Sequence, residues 1–186
     1  MDNGASSYRR FRDNGDKNGL AEIIHDYKDG LIFYLASIVG NIHTAEDLAE
    51  DTFVLLGTKK PKNKEKASFR TWLYTIGRNL AIDHLRHISR HREIPLEEVS
   101  ELISEEDSLE TAYLHEERKI IVHRALRQLK PEYRQVLWLI YFEELSCRET
   151  ALIMKKSIHN IETLVYRARL SLKSQLEKEG YEYENL

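Results

Sequence analysis

The sequence predicts an all-α protein: two small helical domains joined by an acidic linker, the second containing a helix-turn-helix. Three observations point there. Apolar residues recur at helical spacing along most of the chain, and no segment of weight alternates with the period of a strand. Only three prolines and eight glycines fall in 186 residues, which leaves room for long helices. The net charge of −3 hides a sharp segregation of sign. Lys59 to Arg92 holds ten lysines and arginines against two acids, Glu93 to Glu117 holds ten acids and no lysine or arginine, and basic residues dominate again after Arg118.

Residues 1–17 read as a flexible arm. Leu20, Ile23, Ile24, Tyr27, Leu31, Tyr34, Leu35 and Ile38 then mark a first helix, which Gly40-Asn41 ends. Thr44 opens a Thr-x-x-Asp capping pattern for a second helix, expected to run to about Gly57 with Leu48, Phe53, Leu55 and Leu56 as its apolar positions. The KKPKNKEKA stretch reads as an exposed basic loop, and Ser68 caps a third helix running to about Ser89. These helices make a domain over residues 18–90, followed by an acidic linker over 91–107. A second domain, 108–180, begins where periodicity resumes near Leu109. Pro131 starts a helix to Phe142, Ser146-Cys-Arg-Glu149 forms a capping box, and a last long helix begins at Ile158. Residues 181–186 form a tail.

Composition closes several doors. No window approaches the roughly 18 consecutive apolar residues of a membrane span, and the N-terminus has no apolar stretch of a secretory signal. Cys147 is the lone cysteine, so an internal disulfide and a cysteine-based zinc cluster are excluded. A cytoplasmic protein without membrane insertion is expected. His84, His87 and His91 fall on one helix face, but no acid or thiol stands near to complete a shell, so no metal is expected. No Gly-rich phosphate loop and no nucleophile–base pair appears, and neither an enzyme nor a cofactor is expected.

Two segments point to nucleic acid. From Ser68 to Arg92, aromatic, aliphatic and arginine side chains interleave on one helix behind a lysine-rich loop, a combination suited to gripping phosphates and stacking on unpaired bases. Around Lys155-Lys156-Ser157, a short helix, a tight turn and a longer helix have the layout of a helix-turn-helix, with Lys155, Lys156, Arg167, Arg169 and Lys173 placed to meet phosphates. The plain alternative for each is a helix that packs in a core or a hairpin with a solvated charged face. A third segment, the acidic helix with Glu46, Asp47, Glu50 and Asp51, suits either a helix N-terminus or a face that docks a basic partner.

Taken in order, four blocks resemble the extracytoplasmic-function (ECF) group of bacterial sigma-70 family sigma factors. They are TAEDLAEDTFVLL from Thr44, SFRTWLYTIGRNLAIDHLR from Ser68, ALRQLKPEYRQVLWLIYFEELS from Ala125, and Cys147 to Lys173 ending in LVYRARLSLK. The resemblance implies a transcription initiation factor that directs core RNA polymerase to promoter DNA and helps melt it. Asp47, Leu48, Glu50, Asp51 and Phe53 would meet the clamp helices of the largest polymerase subunit. Lys62, Lys64, Phe69, Trp72, Arg78, Asn79, Asp83 and Arg86 would capture unpaired bases of the minus-10 element. Lys156, Ser157, His159, Asn160, Glu162, Thr163, Tyr166 and Arg167 would approach the duplex minus-35 element. The family further implies an anti-sigma factor as partner and an acidic connector along the RNA exit path. Glu162 stands where the family usually has lysine, and Lys155 where the turn often has glycine. A stand-alone helix-turn-helix regulator is the competing reading; it accounts for the C-terminal half but leaves the Ser68 helix and the acidic linker without a purpose.

Overall fold

The computed structural model describes residues 3–63, 67–92 and 117–178. The predicted acidic linker beyond Arg92, the C-terminal tail and Lys64 lie outside the described residues. Among those described, every regular element is a helix.

The first departure is at the N-terminus. Within the stretch expected to be an arm, Asn3–Asn14 form a helix, α1, that buries Gly4, Ser7, Tyr8 and Phe11. Gly4, Tyr8 and Phe11 stand at i, i+4 and i+7, one stripe of a 3.6-residue period. A tight approach seats it on α2 (Lys17–Val39), where a Cβ at Gly19 would stand 2.3 Å from the Ser7 carbonyl oxygen. Asp16 caps α2 by accepting from the Asn18 N–H at 3.0 Å, and left-handed Gly40 ends it (φ 78°).

The second helix, α3 (Ile42–Lys59), starts earlier than its Thr-x-x-Asp pattern suggests. Asn41 is the cap, its side chain accepting from the Thr44 N–H at 2.8 Å, which puts Thr44 inside the first turn. Ser68 does cap α4 (Phe69–Arg92), accepting from the Thr71 N–H at 3.2 Å, and that helix runs two residues past the expected boundary at 90. Leu31, Leu35, Leu56, Phe69 and Leu73 are all 0% exposed, the centre of this four-helix unit.

The second unit comprises α5 (Glu117–Arg127), α6 (Pro131–Leu137), α7 (Cys147–Met154) and α8 (Ile158–Lys178). Pro131 sits at the start of α6, where its missing N–H costs no helical bond. The expected α-helix to Phe142 ends early: Trp138–Phe142 form a π turn in which the Glu143 N–H reaches the Trp138 carbonyl at 3.1 Å, and the Trp138 and Phe142 rings stack 4.2 Å apart. The capping box at Ser146 and Glu149 is complete in both directions. Lys155 closes α7 in the left-handed region (φ 55°), a strained place for a residue with a Cβ, and Ser157 starts α8 by accepting from the Asn160 N–H at 3.1 Å.

The two units pack directly on each other. α4 lies against α7 and α2 against α6, and the buried apolar residues of both units form one continuous cluster.

Candidate nucleic-acid and polymerase-facing surfaces

On α3 the structure splits the predicted acidic face in two. Asp47, Glu50 and Asp51 are exposed, whereas Leu48 and Phe53 are buried at 6% and 7% and belong to the core. The expectation that Leu48 would be an exposed anchor is therefore corrected: it points into the bundle. The apolar component comes instead from Val54, which is 51% exposed and which the sequence reading missed. Val54 follows Asp47, Glu50 and Asp51 at helical spacing, so a helical wheel would have found it. Together with Leu20 and Ile24 of α2 and with Phe53, it lines an open groove of about 730 Å³ whose charged lining is Glu46, Asp47 and Glu50 with Lys28. A row of carboxylates beside an apolar trough suits a partner helix with both basic and apolar residues.

On α4 the predicted minus-10 residues divide in the same way. Phe69 is fully buried among Tyr8, Tyr27 and Trp72, with ring centroids 5.5–5.6 Å apart, so it cannot offer a face to a base. Trp72 is half-buried and packs on Tyr8 at 5.2 Å. Arg78 is turned inward: its Nε is buried, and its guanidinium lies beside the Tyr34 hydroxyl, where it partly offsets the burial that raises the tyrosine pKa. Asn79 is half-exposed. Asp83 and Arg86 are both exposed and pair with each other at 3.2 Å. His84 faces α3. Burial, then the neighbouring His87, holds its pKa below the ordinary imidazole value, against the pull of Asp47. Ahead of α4, Lys62 is exposed in the basic loop.

Arg70, one of the arginines interleaved on the Ser68 helix, and Glu143 join the units at the head of α4. The Arg70 guanidinium donates to the Glu143 carbonyl at 2.8 Å and lies 3.8 Å from its carboxylate, which is itself buried and accepts from Trp138 Nε1 at 3.3 Å. One turn away Glu149 accepts from the Ser68 and Thr71 hydroxyls, each at 3.3 Å. Burial acts to raise the Glu149 pKa, but hydrogen bonds from the Ser146 side chain and backbone, with those of Ser68 and Thr71, outweigh it and hold the carboxyl below its usual range. The residue that completes the α7 capping box thus also clamps the cap of α4.

On α8 the arrangement is plainer. Ser157, His159, Asn160, Glu162, Tyr166 and Arg167 are exposed, with Tyr166 at 65%. Thr163 is half-buried, and Lys156 is tied to Glu132 of α6 at 3.0 Å. Ile161 and Ala168, both 0% exposed, fix the register that turns these side chains outward. Glu162 therefore stands on the open face between His159 and Tyr166. The geometry is that of a helix presented to a groove.

Residues 23–91 match the family described as Sigma-70 region 2, and residues 119–172 match Sigma-70, region 4. The chain is similar to the RNA polymerase sigma factor YlaC of Bacillus subtilis (strain 168), at 30% identity over 169 residues, 87% of this chain and 94% of that protein. It is similar to the ECF RNA polymerase sigma factor SigW of the same organism, at 28% over 170 residues, 87% of this chain and 91% of that protein. In fold it is similar to the sigma factor RpoE of Bartonella quintana, solved with the anti-sigma factor NepR. The TM-score is 0.64, with 22% identity over 84% of this chain and 96% of that one.

Proposed function

The chain belongs to the sigma-70 family of RNA polymerase sigma factors, in its ECF group, and from that premise we propose how its surfaces divide the work. It directs core polymerase to promoters and promotes melting there, as a regulator of initiation and not as an enzyme. The observation that carries the division is the order of the two family regions: region 2 falls on α2–α4, with its acidic row and groove, and region 4 on α5–α8, with its exposed helix.

In this reading residues 18–90 are the core-polymerase and minus-10 domain, and 108–180 the minus-35 domain. Asp47, Glu50 and Asp51 with Val54 take a clamp helix of the polymerase, while Leu48 and Phe53 support them from the core. Lys62, Trp72 and Asn79 meet the unpaired strand, and His159, Asn160, Glu162, Tyr166 and Arg167 meet the duplex. An anti-sigma factor that covers these surfaces holds the chain inactive, and the whole cycle takes place in the cytoplasm. The exposed acidic row on α3 counts against a stand-alone regulator, which would have no use for it.

Run-off transcription with purified bacterial core polymerase on a promoter library tests the reading. The expected result is selective run-off from a subset of sequences sharing two elements; unselective or absent run-off would sink it. Reversing Asp47 and Asp51 to lysine should weaken core binding at least about tenfold with no change in thermal unfolding, and undiminished co-purification with core would refute the assignment of α3.

A further inference from the structure

The α1 helix lies ahead of the region 2 match, which begins at residue 23, and no role described so far uses it. It reaches the basic loop after α3 at three successive residues. The Phe11 ring lies under the Lys60 ammonium at 4.7 Å. The Tyr8 hydroxyl donates to the Pro61 carbonyl at 2.7 Å, across 53 residues of sequence. Asp13, whose pKa is lowered first by its hydrogen bond with Arg12, also feels the charge of Lys62. The loop needs such support: Lys60 sits in the left-handed region (φ 44°), a conformation that a residue with a Cβ holds only when its surroundings impose it. The same Tyr8 ring, 2% exposed, packs on Trp72. One side chain thus joins the loop and the α4 aromatic that together form the candidate minus-10 surface.

We propose that α1 is a strut of the minus-10 site and that Tyr8 is a positioning residue, its hydroxyl setting the loop at Pro61 and its ring setting Trp72. The proposal rests on the reading that this loop and α4 receive the unpaired strand. Tyr8 touches no base; it fixes where Lys60, Lys62 and Trp72 stand when one arrives. Burial raises the tyrosine pKa to about 12, so the hydroxyl remains a donor throughout the neutral range. A hydrogen bond to a carbonyl of a loop that is otherwise strained acts on geometry more than on global stability, because α1 keeps its apolar stripe without it.

Tyr8→Phe in the full chain retains the ring and removes only the hydroxyl. The assay uses holoenzyme and a promoter recovered by the library run-off. The substitution should slow open-complex formation about 3- to 10-fold and reduce, by a similar factor, discrimination between that promoter and one with a single substituted minus-10 base. Core affinity should be unchanged, and a template already melted across minus-10 should recover most of the rate. Phe11→Leu, which withdraws the ring beneath Lys60, should give a smaller loss of the same kind. Unchanged opening and discrimination in Tyr8→Phe would overturn the proposal, as would an equal loss on duplex and pre-melted templates together with lost core binding, the signature of a merely structural role. Lys62→Glu separates the premise from the inference. If it impairs opening while Tyr8→Phe does not, the strut fails alone; if it has no effect, the loop does not meet DNA and both fail.

Discussion

The two helices that carry the candidate DNA contacts, α4 and α8, are alike in length, at 24 and 21 residues, and both interleave apolar and basic side chains. They differ in where they stand. α4 is packed by α1, α2, α3 and α7, and it spends much of its decoration inward: Phe69 in the core, Arg70 on Glu143, Arg78 against Tyr34. α8 fully buries only Ile161, Ala168 and Leu176, rests Leu164, Val165 and Leu172 partly against the core, and leaves His159, Asn160, Glu162, Tyr166 and Arg167 exposed. Interleaved rings and arginines are thus an ambiguous sign. On a central helix they build the joint between two units; on a more exposed helix they remain available to a ligand.

The largest expected effect tests that difference directly. Leu73→Ala, at a fully buried position of α4, should cost about 2–5 kcal/mol in urea denaturation. Leu170→Ala, at a 52% exposed position of α8, should stay within about 0.5 kcal/mol. Comparable losses would erase the contrast. A smaller effect lies at the joint. Arg70→Met leaves the buried Glu143 carboxylate without its cation and should cost about 1–3 kcal/mol. A double-mutant cycle with Glu143→Gln should show a coupling of about 0.5–3 kcal/mol, and strict additivity would mean that the two residues do not act together.

The smallest effect on the fold, and the sharpest for function, belongs to α8. Glu162→Lys should leave stability within about 0.5 kcal/mol. It should also steepen the dependence of promoter binding by the holoenzyme on salt, the slope changing by about one for a lysine that meets a phosphate. If Glu162 instead accepts from a cytosine, preference at one base pair should relax by about 1–3 kcal/mol. No change in affinity, slope or preference would place Glu162 away from DNA and shift the register assigned to α8.

What could be read from the sequence was local. The caps at Ser68 and Ser146, the stop at Gly40 and the start at Pro131 each follow from a few adjacent residues, and each stands where expected. The α1 helix was missed because its stripe of Gly4, Tyr8 and Phe11 is short and flanked by charge, and gains its value only against Phe69 and Trp72 some sixty residues on. The candidate sites were legible as helices and only in part as faces. A helical wheel separates Asp47, Glu50, Asp51 and Val54 from Leu48, but the inward turn of Arg78 and the burial of Phe69 under Tyr8 depend on neighbours from other parts of the chain. The Arg70–Glu143 contact spans 73 residues and two units, beyond any periodicity.

The π turn after α6 has a consequence at the level of single codons. In an α-helix each residue advances the chain by about 100° and 1.5 Å, so losing one codon swings everything beyond it onto another face. A π turn already holds one residue more than the α turn it replaces. Loss of the codon for Ile140, within Trp138–Phe142, should let that turn relax to α with Leu137 before it and Glu143 after it still in place. The seam between the units, where Glu143 meets Arg70, therefore sits beside a point at which loss of a single codon should leave the two halves joined.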